Sequence, residues 1–269
     1  MNIFLLELDN LRKSAIITAI ALGGVTFAMM TFFPAMQNSA MQALTGAYLE
    51  GINPAVLKGL GLSAMPDFSV ITYYFGYIVQ YLSLALAVVT MQRAAALFIK
   101  EETEGTIEYL CARPVSRSDI FVQKFLAHLL ILVGHVCVCA LSTLVAYVAF
   151  SDFAFEKAVA EVAVFYGAIG FVCLVFSALG LLASVWLKSS KSAAGVAFGV
   201  VFGAFLLGIL SAVVDMLSFL LHIAPMEWIK AEKLIASGLH LSEWLVGGGV
   251  MLVCTIAAWL IYRRKDLLI

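Results

Sequence analysis

Long apolar runs alternate with short polar segments along this chain. Six of the runs have about 18 residues or more, enough for a helix to cross roughly 30 Å of hydrocarbon at about 1.5 Å per residue. The runs lack the period-two alternation of a membrane β-barrel, and backbone groups in lipid must bond to one another. The pattern predicts an all-α membrane protein, a single domain over 1–269 with transmembrane helices near residues 14–33, 70–98, 120–150, 158–187, 193–221 and 241–262.

The residues before the first run have an amphipathic pattern. Phe4, Leu8 and Leu11 share one helical face, which predicts a short helix on the inner membrane surface over residues 1–13. A cleaved signal peptide is the alternative for this end. The apolar run that follows is about 20 residues long, whereas the apolar region of a signal peptide has roughly 7 to 15 residues, so we expect the run to remain as a membrane anchor.

Two outer segments also carry helix signals. Residues 34–69 are too long for a simple turn and predict an outer loop with short helices, one of them capped by Asn53 with Pro54 at its first position. Another short helix is predicted from Pro225, closed by Gly238. We expect these segments to cap the bundle.

Composition and charge agree with a membrane location. The chain is 63% hydrophobic and 12% charged, whereas soluble domains are about a quarter charged. With both termini in the cytoplasm of a plasma-membrane protein, positive residues divide twelve inside to four outside, which is the expected inner bias. The twelve are Arg12, Lys13, Arg93, Lys100, Arg113, Arg117, Lys124, Lys188, Lys191, Arg263, Arg264 and Lys265, and the four are Lys58, Lys157, Lys230 and Lys233.

The most densely charged segment between spans is the inner one between the second and third runs. Glu101, Glu104 and Glu108 fall on one face of a predicted helix over 101–112, with apolar residues on the opposite face. Gly105 within that helix indicates a bend or a close backbone approach. An amphipathic helix with defined ends favours a docking element over a solvated loop.

A signal that ends this helix is followed by a signal that begins the next one. Pro114 disfavours helix at Arg113 and ends the element. Ser116 and Asp119 then form the Ser-x-x-Asp pattern of a capping box, directly before the third apolar run. The segment is therefore predicted to form a helix, a break in the helical structure and then a second helix.

These residues resemble a known family. The stretch from Glu101 to Leu110, EETEGTIEYL, followed by RPVSR from Arg113 to Arg117, is similar to the E-E-x-x-G-T-x-E-x-L and P-V-S-R signature of ABC-2 type permeases, including the bacitracin-resistance and sodium-export types. These are the transmembrane subunits of ATP-binding-cassette exporters. The six-span layout, the long first outer loop and the basic ending agree with the resemblance over the whole chain.

The resemblance implies a coupling helix that sits in a groove of the ATP-binding subunit. It would place Glu101, Glu102 and Glu104 at the docking surface, and Gly105 and Thr106 at a tight passage. Two further roles are implied. Glu108 would orient the helix, and Pro114 and Arg117 would set the corner into the third span.

No motor sequence lies in this chain. It has no Gly-x-x-x-x-Gly-Lys-Ser/Thr phosphate loop, so ATP and Mg²⁺ are expected on a separate ATP-binding subunit, with no cofactor and no metal in this chain. The family also implies a second permease subunit, identical or related. Gly195, Gly199 and Gly203 recur every four residues and predict a close helix contact, either with that subunit or within the chain.

Ionisable residues inside the spans are the remaining candidates for chemistry. Asp215 could line an exit path or lie in the outer headgroup region. Arg93 could pair with Glu101 or Glu102. His135 and Cys139 are spaced like half of a metal site, but the absence of a second pair favours ordinary packing.

The sequence thus predicts a non-enzymatic permease subunit that exports a hydrophobic or amphipathic substrate, with lipid contacts and no nucleic-acid partner. A non-transporting sensor or immunity subunit on the same scaffold is one alternative. The other is an intramembrane enzyme that uses His128 or His135 as a base and Ser142 as a nucleophile. Ser142 is about 10 Å along the helix from His135, which argues against that pair.

Overall fold

Helices account for most of the protein. The computed structural model describes residues 3–62, 66–105, 115–214, 216–217, 221 and 223–265, and within them no strand occurs. The helices are α1 (Ile3–Met30), α2 (Phe33–Met36), α3 (Ser39–Glu50), α4 (Pro54–Gly59), α5 (Ile71–Ala96), α6 (Lys100–Glu104), α7 (Arg117–Phe150), α8 (Phe155–Trp186), α9 (Ala193–Val213), α10 (Pro225–Trp228), α11 (Ala231–Ser237) and α12 (Leu241–Arg264), with a 3-10 turn at Ser190–Ser192.

Six of these helices, α1, α5, α7, α8, α9 and α12, belong to segments that are long and apolar enough to cross a membrane. This confirms the predicted all-α membrane fold with six transmembrane helices. The 34 residues of α7 extend to about 51 Å, so this helix projects beyond the hydrocarbon layer.

The observed helix bounds differ from the predicted spans at two places. Helix α1 runs without a break from Ile3, so the predicted surface helix over 1–13 is not a separate element. Its polar residue Glu7 is buried against Lys124, which lets this turn pack on protein. Helix α9 ends at Val213, because Val214 adopts an extended backbone (φ −106°, ψ 107°), whereas the fifth span was predicted to reach residue 221.

Helix α8 lies at the centre of the bundle. Of the six spans it is the most buried, and it packs against α5, α7 and α12. Aromatic rings fill the spaces between these helices, including Phe75 of α5 against Tyr147 of α7 and Phe165 of α8. The helices that pack around α8 therefore share one apolar core with it.

The start of α1 and the end of α12 lie at one end of the bundle, which we call the terminal end. There the amide of Phe4 donates to the side-chain oxygen of Gln123 at 3.2 Å, and the guanidinium of Arg117 donates to the carbonyl of Lys265. The short helices α3, α4, α10 and α11 lie at the opposite end. The predicted cap at Asn53 is confirmed, since its side chain accepts from the amide of Ala55 at 2.9 Å.

One side chain of α5 holds the short helices of the opposite end to the bundle. Gln80 donates to the carbonyl of Leu60 at 3.2 Å, just past α4, and accepts from the amide of Ala231 at 2.9 Å, at the start of α11. Next to it, Lys230 pairs with the buried Glu227 at 2.6 Å. These polar contacts support the prediction that the outer segments cap the bundle.

Glu227 gives a pH-dependent prediction. Burial raises the pKa of its carboxyl above the ordinary value, although Lys230 opposes the shift. Because its pKa is raised on folding, the folded protein holds the Glu227 proton more strongly than the unfolded protein does. The protonated carboxyl therefore contributes to stability at low pH, and this contribution is lost as the pH rises through the raised pKa. Thermal unfolding measured from about pH 4 to 7 should show this loss as a fall in the melting temperature with rising pH. Glu227→Gln should flatten that slope, and the exposed Glu50→Gln should leave it unchanged; equal slopes in all three proteins would contradict the prediction.

Candidate functional site

A short helix and an ion-paired cluster occupy the terminal end between α5 and α7. Helix α6 begins at Lys100, four residues after α5, and ends at Glu104. Gly105 follows with a left-handed backbone (φ 68°, ψ 21°) and donates its amide to the carbonyl of Glu101, as a glycine C-cap does. Among the described residues, no atom of another element lies within 4 Å of a Cβ added here, and the positive φ angle is what favours glycine at this position.

Within the described residues, the predicted helix over 101–112 is therefore present only as far as Glu104. Thr106, Glu108 and Pro114 lie outside the described residues, as does the second half of that helix. The predicted capping box is present: the amide of Asp119 donates to the hydroxyl of Ser116 at 3.1 Å, and the Asp119 carboxylate accepts from the amide of Ser116 at 3.2 Å. This box fixes the start of α7.

Lys124 is the centre of the cluster. It is 1% exposed, and its ammonium pairs with Glu101 of α6 and, at 3.4 Å, with Glu7 of α1. It also donates to the carbonyl of Leu97 at 2.9 Å, just past α5. One cation therefore joins four elements: α1, α5, α6 and α7.

A second ion pair joins α6 to the C-terminal end of the described chain. Lys265 donates to both carboxylate oxygens of Glu102, at 2.8 and 2.9 Å. Arg117, predicted to set the corner into the third span, lies in the first turn of α7 and bonds to the carbonyls of Arg263 and Lys265. The turn after α8 contacts α6 as well, because the amide of Ser190 donates to the hydroxyl of Thr103 at 3.1 Å.

The three glutamates predicted at a docking surface have different surroundings. Side-chain exposure is 16% for Glu101 and 8% for Glu102, and both are held in internal ion pairs. Glu104 is exposed. Of the three, Glu104 is the one whose carboxylate is exposed and has no ion pair with another described residue.

Arg93 does not form the pair that was predicted with Glu101 or Glu102. Its guanidinium donates to the hydroxyl groups of Thr18 at 2.7 Å and Ser14 at 3.3 Å, both on α1. Helical side chains point toward the N-terminus of their helix, so Arg93 on α5 extends deeper into the bundle. The same rule sends Lys124 of α7 toward the terminal end, where it reaches Glu101.

Sequence reasoning missed Glu7, Lys124 and Lys265 as members of this cluster. A usable signal was present for Lys124, a lysine five residues inside a predicted span. A charge at that depth indicates a buried partner, since it is costly in lipid. The identity of its partners follows only from the packing of α1 and α6 against α7.

The glycine row of α9 points away from the other described helices. No described atom lies within 4 Å of a Cβ added at Gly195, Gly199 or Gly203. With the described residues, the row therefore does not make the intrachain helix contact that was one of its two interpretations. Asp215, the predicted pathway residue, lies outside the described residues.

The histidines of α7 form hydrogen bonds to neighbouring helices. His135 uses both ring nitrogens, toward the carbonyl of Ile131 at 2.6 Å and the hydroxyl of Thr18 at 2.7 Å. The described residues contain no group of three metal-ligating side chains that could hold an ion. Ser142 faces Gly23 of α1, so it is not the partner of His135 that the enzyme alternative requires.

The six spans, with a charged surface element tied to several of them at one end, define a multi-pass helical membrane protein. A family model described as ABC-2 family transporter protein matches residues 1–267. The chain belongs to this family and is a transmembrane permease component of an ABC transporter. A search of curated proteins finds no significant match to this chain.

Proposed function

We propose that this chain is the permease subunit of an exporter that couples to a separate ATP-binding subunit through α6 and the segment after it. The observation that carries the proposal is the position of α6. It presents the exposed Glu104 at the surface, and the two glutamates before it are ion-paired to spans. A partner that holds this surface would act directly on the bundle.

The ion pairs provide the mechanical connection in this proposal. Movement of α6 would reach α1 and α7 through the bonds of Lys124 to Glu101 and Glu7, and α12 through the pair of Glu102 with Lys265. ATP and Mg²⁺ would bind to the partner subunit, whose closure on ATP supplies the motion. The terminal end, with both termini, would face the cytoplasm, and the protein would lie in the plasma membrane.

A second permease subunit would complete the translocation pathway. The outward-facing row of Gly195, Gly199 and Gly203 supports an interface on α9, because small residues allow helices to approach closely in lipid. The cargo would be hydrophobic or amphipathic, such as a lipid, a lipophilic antibiotic or a peptide. The predominantly apolar surfaces of the spans support this class of substrate.

Charge reversal on the docking surface tests the proposal. Glu104→Lys combined with Glu108→Lys should reduce copurification of the ATP-binding subunit. The two lysines would then face a surface of that subunit that is complementary to carboxylates, and they would be repelled by it. Membrane insertion should be unchanged, since the exposed Glu104 has no ion pair or side-chain hydrogen bond with a described span. The yield of partner per permease, measured after affinity purification from membranes, is the readout.

The exposed Glu156→Lys at the start of α8, at the opposite end, is the matched control and should retain the full yield of partner. If the Glu104 and Glu108 double variant retains it too, docking through α6 is wrong.

A further inference from the structure

A groove lies at the end of the bundle opposite to α6, between α3 and the segment that leads into α5. Its volume is about 140 Å³, close to that of an engineered protein cavity of roughly 150 Å³ that binds benzene. Met36, Leu49 and Phe68 supply apolar lining, and Glu50 and Asp67 bring two carboxylates to it. The groove therefore has room for one small ligand with an apolar body and a polar group.

The apolar lining is held in place by the packing of the short helices. Leu49 is buried in one cluster with Leu57 of α4 and Leu62. The ring of Phe68 packs on the ring of Tyr77 of α5, with centroids 5.3 Å apart. Because the folded protein already fixes these side chains, a ligand does not have to order them on binding.

Gly46 leaves one wall of the groove without a side chain. It belongs to the lining, and no described atom of another element lies within 4 Å of a Cβ added to it. A longer side chain at this position of α3 would therefore occupy the groove without a clash against the described protein. The space next to Gly46 is available to a ligand.

The polar groups of the groove are hydrogen-bond acceptors. Asp67 Oδ1 accepts from the amide of Ser69 at 2.9 Å and from its hydroxyl at 2.6 Å, which leaves Oδ2 without a donor among the described residues. These bonds from Ser69 hold the pKa of the Asp67 carboxyl below its ordinary value. The hydroxyl of Thr45 donates to the carbonyl of Met41 at 2.8 Å, so its oxygen can only accept from a ligand.

The negative charge of the groove has no counter-ion within the described chain. The ion pairs of the described residues are made by other carboxylates than Glu50 and Asp67. No lysine, arginine or histidine is among the described residues that line the groove. An ammonium group carries three donors and no acceptor, so it complements this wall in both charge and hydrogen bonding.

We propose that this groove binds a small primary ammonium ion with an alkyl or aryl body. The ammonium group lies between Glu50 and Asp67, and the apolar body lies on Leu49 and Phe68. Phe68 also offers the face of its ring to the cation. The site is at the opposite end of the bundle from α6, and its ligand binding does not depend on coupling through α6.

Saturation-transfer NMR titration of the purified chain in a neutral detergent tests the site. The probes are benzylammonium, benzyl alcohol, which is uncharged and of nearly the same size, and benzoate, which has the opposite charge. We expect benzylammonium to saturate the protein at about millimolar concentration, benzyl alcohol to bind about tenfold more weakly, and benzoate not to saturate. Equal affinities for benzylammonium and benzyl alcohol would overturn the proposal in favour of a crevice that takes any apolar ring.

Removal of the two charges tests the polar part of the site. Glu50→Gln combined with Asp67→Asn should weaken the binding of benzylammonium about tenfold and leave that of benzyl alcohol unchanged. Glu156→Gln, which removes an exposed carboxylate at the same end of the bundle, is the matched control and should change the affinity less than about twofold. Wild-type affinity of the double variant for benzylammonium would show that these carboxylates do not hold it.

A variant that fills the groove covers the case in which the charge variant does not fold. Leucine is a better helix former than glycine, so Gly46→Leu should keep the melting temperature of the wild type and lose the saturable binding of benzylammonium. Ala47→Leu, at an exposed position of α3 outside the groove lining, should bind as the wild type does. Wild-type binding by Gly46→Leu would place the ligand elsewhere, for example in the micelle, and would reject the site. The comparison of the three probes on the wild type does not depend on any variant.

Discussion

Lys124→Ala should lower the free energy of unfolding by about 3–5 kcal/mol, because it leaves Glu7 and Glu101 without their buried cation. The measurement is reversible unfolding in mixed micelles, followed by circular dichroism. Lys188→Ala is the matched control, since Lys188 is exposed at the terminal end, and we expect a change within about 0.5 kcal/mol. Similar losses in both variants would contradict the internal ion pairs.

A rescue variant distinguishes the charges from the packing. Lys124→Met combined with Glu7→Gln and Glu101→Gln removes all three charges of this cluster together, and replacing a whole buried ion cluster with neutral groups is often tolerated. This triple variant should recover most of the lost stability. It should still copurify with the ATP-binding subunit, because Glu104 is unchanged. Failure to recover stability would assign the effect of Lys124 to its packing.

Gly180→Ala should destabilise the centre of the bundle by about 1–3 kcal/mol. A Cβ at Gly180 of α8 would lie 2.6 Å from the carbonyl oxygen of Met91 and 2.8 Å from the Cβ of Ala94. The first of these is a backbone atom of α5, so the two central helices would have to separate. Thermal unfolding in detergent measures the loss.

Gly167→Ala on the same helix is the control for Gly180. No described atom of another helix lies within 4 Å of its added Cβ, and alanine is the better helix former by about 1 kcal/mol. We therefore expect no loss of stability from it. Equal melting temperatures for the two variants would show that α5 and α8 can separate at low cost.

Local signals in the sequence were sufficient for the spans and for the helix start at Ser116. A long apolar run has no stable arrangement in lipid other than a helix, so six runs predict six spans. The capping box depends on residues three positions apart, and its geometry is set by the first turn of the helix. Such features need no information from the rest of the chain.

Gly105 shows where a local signal has two interpretations. Glycine in a helical pattern marks either a tolerated bend or a left-handed end, and both occur in natural helices. The structure has the left-handed end, so α6 stops at Glu104. Long-range ties to Lys124 and Lys265 hold the short α6 in place, which an isolated turn of helix could not achieve.

The sequence by itself determined the membrane class, the six helices, the charged element between the second and third of them, and the family resemblance that the family match supports. The tertiary structure alone decided which glutamates of that element are free. Lys124 is 23 residues from Glu101, and Lys265 is 163 residues from Glu102. A carboxylate finds such a partner only when packed helices bring the two groups to the same depth, because side-chain direction and helix register, not sequence spacing, set which charges meet.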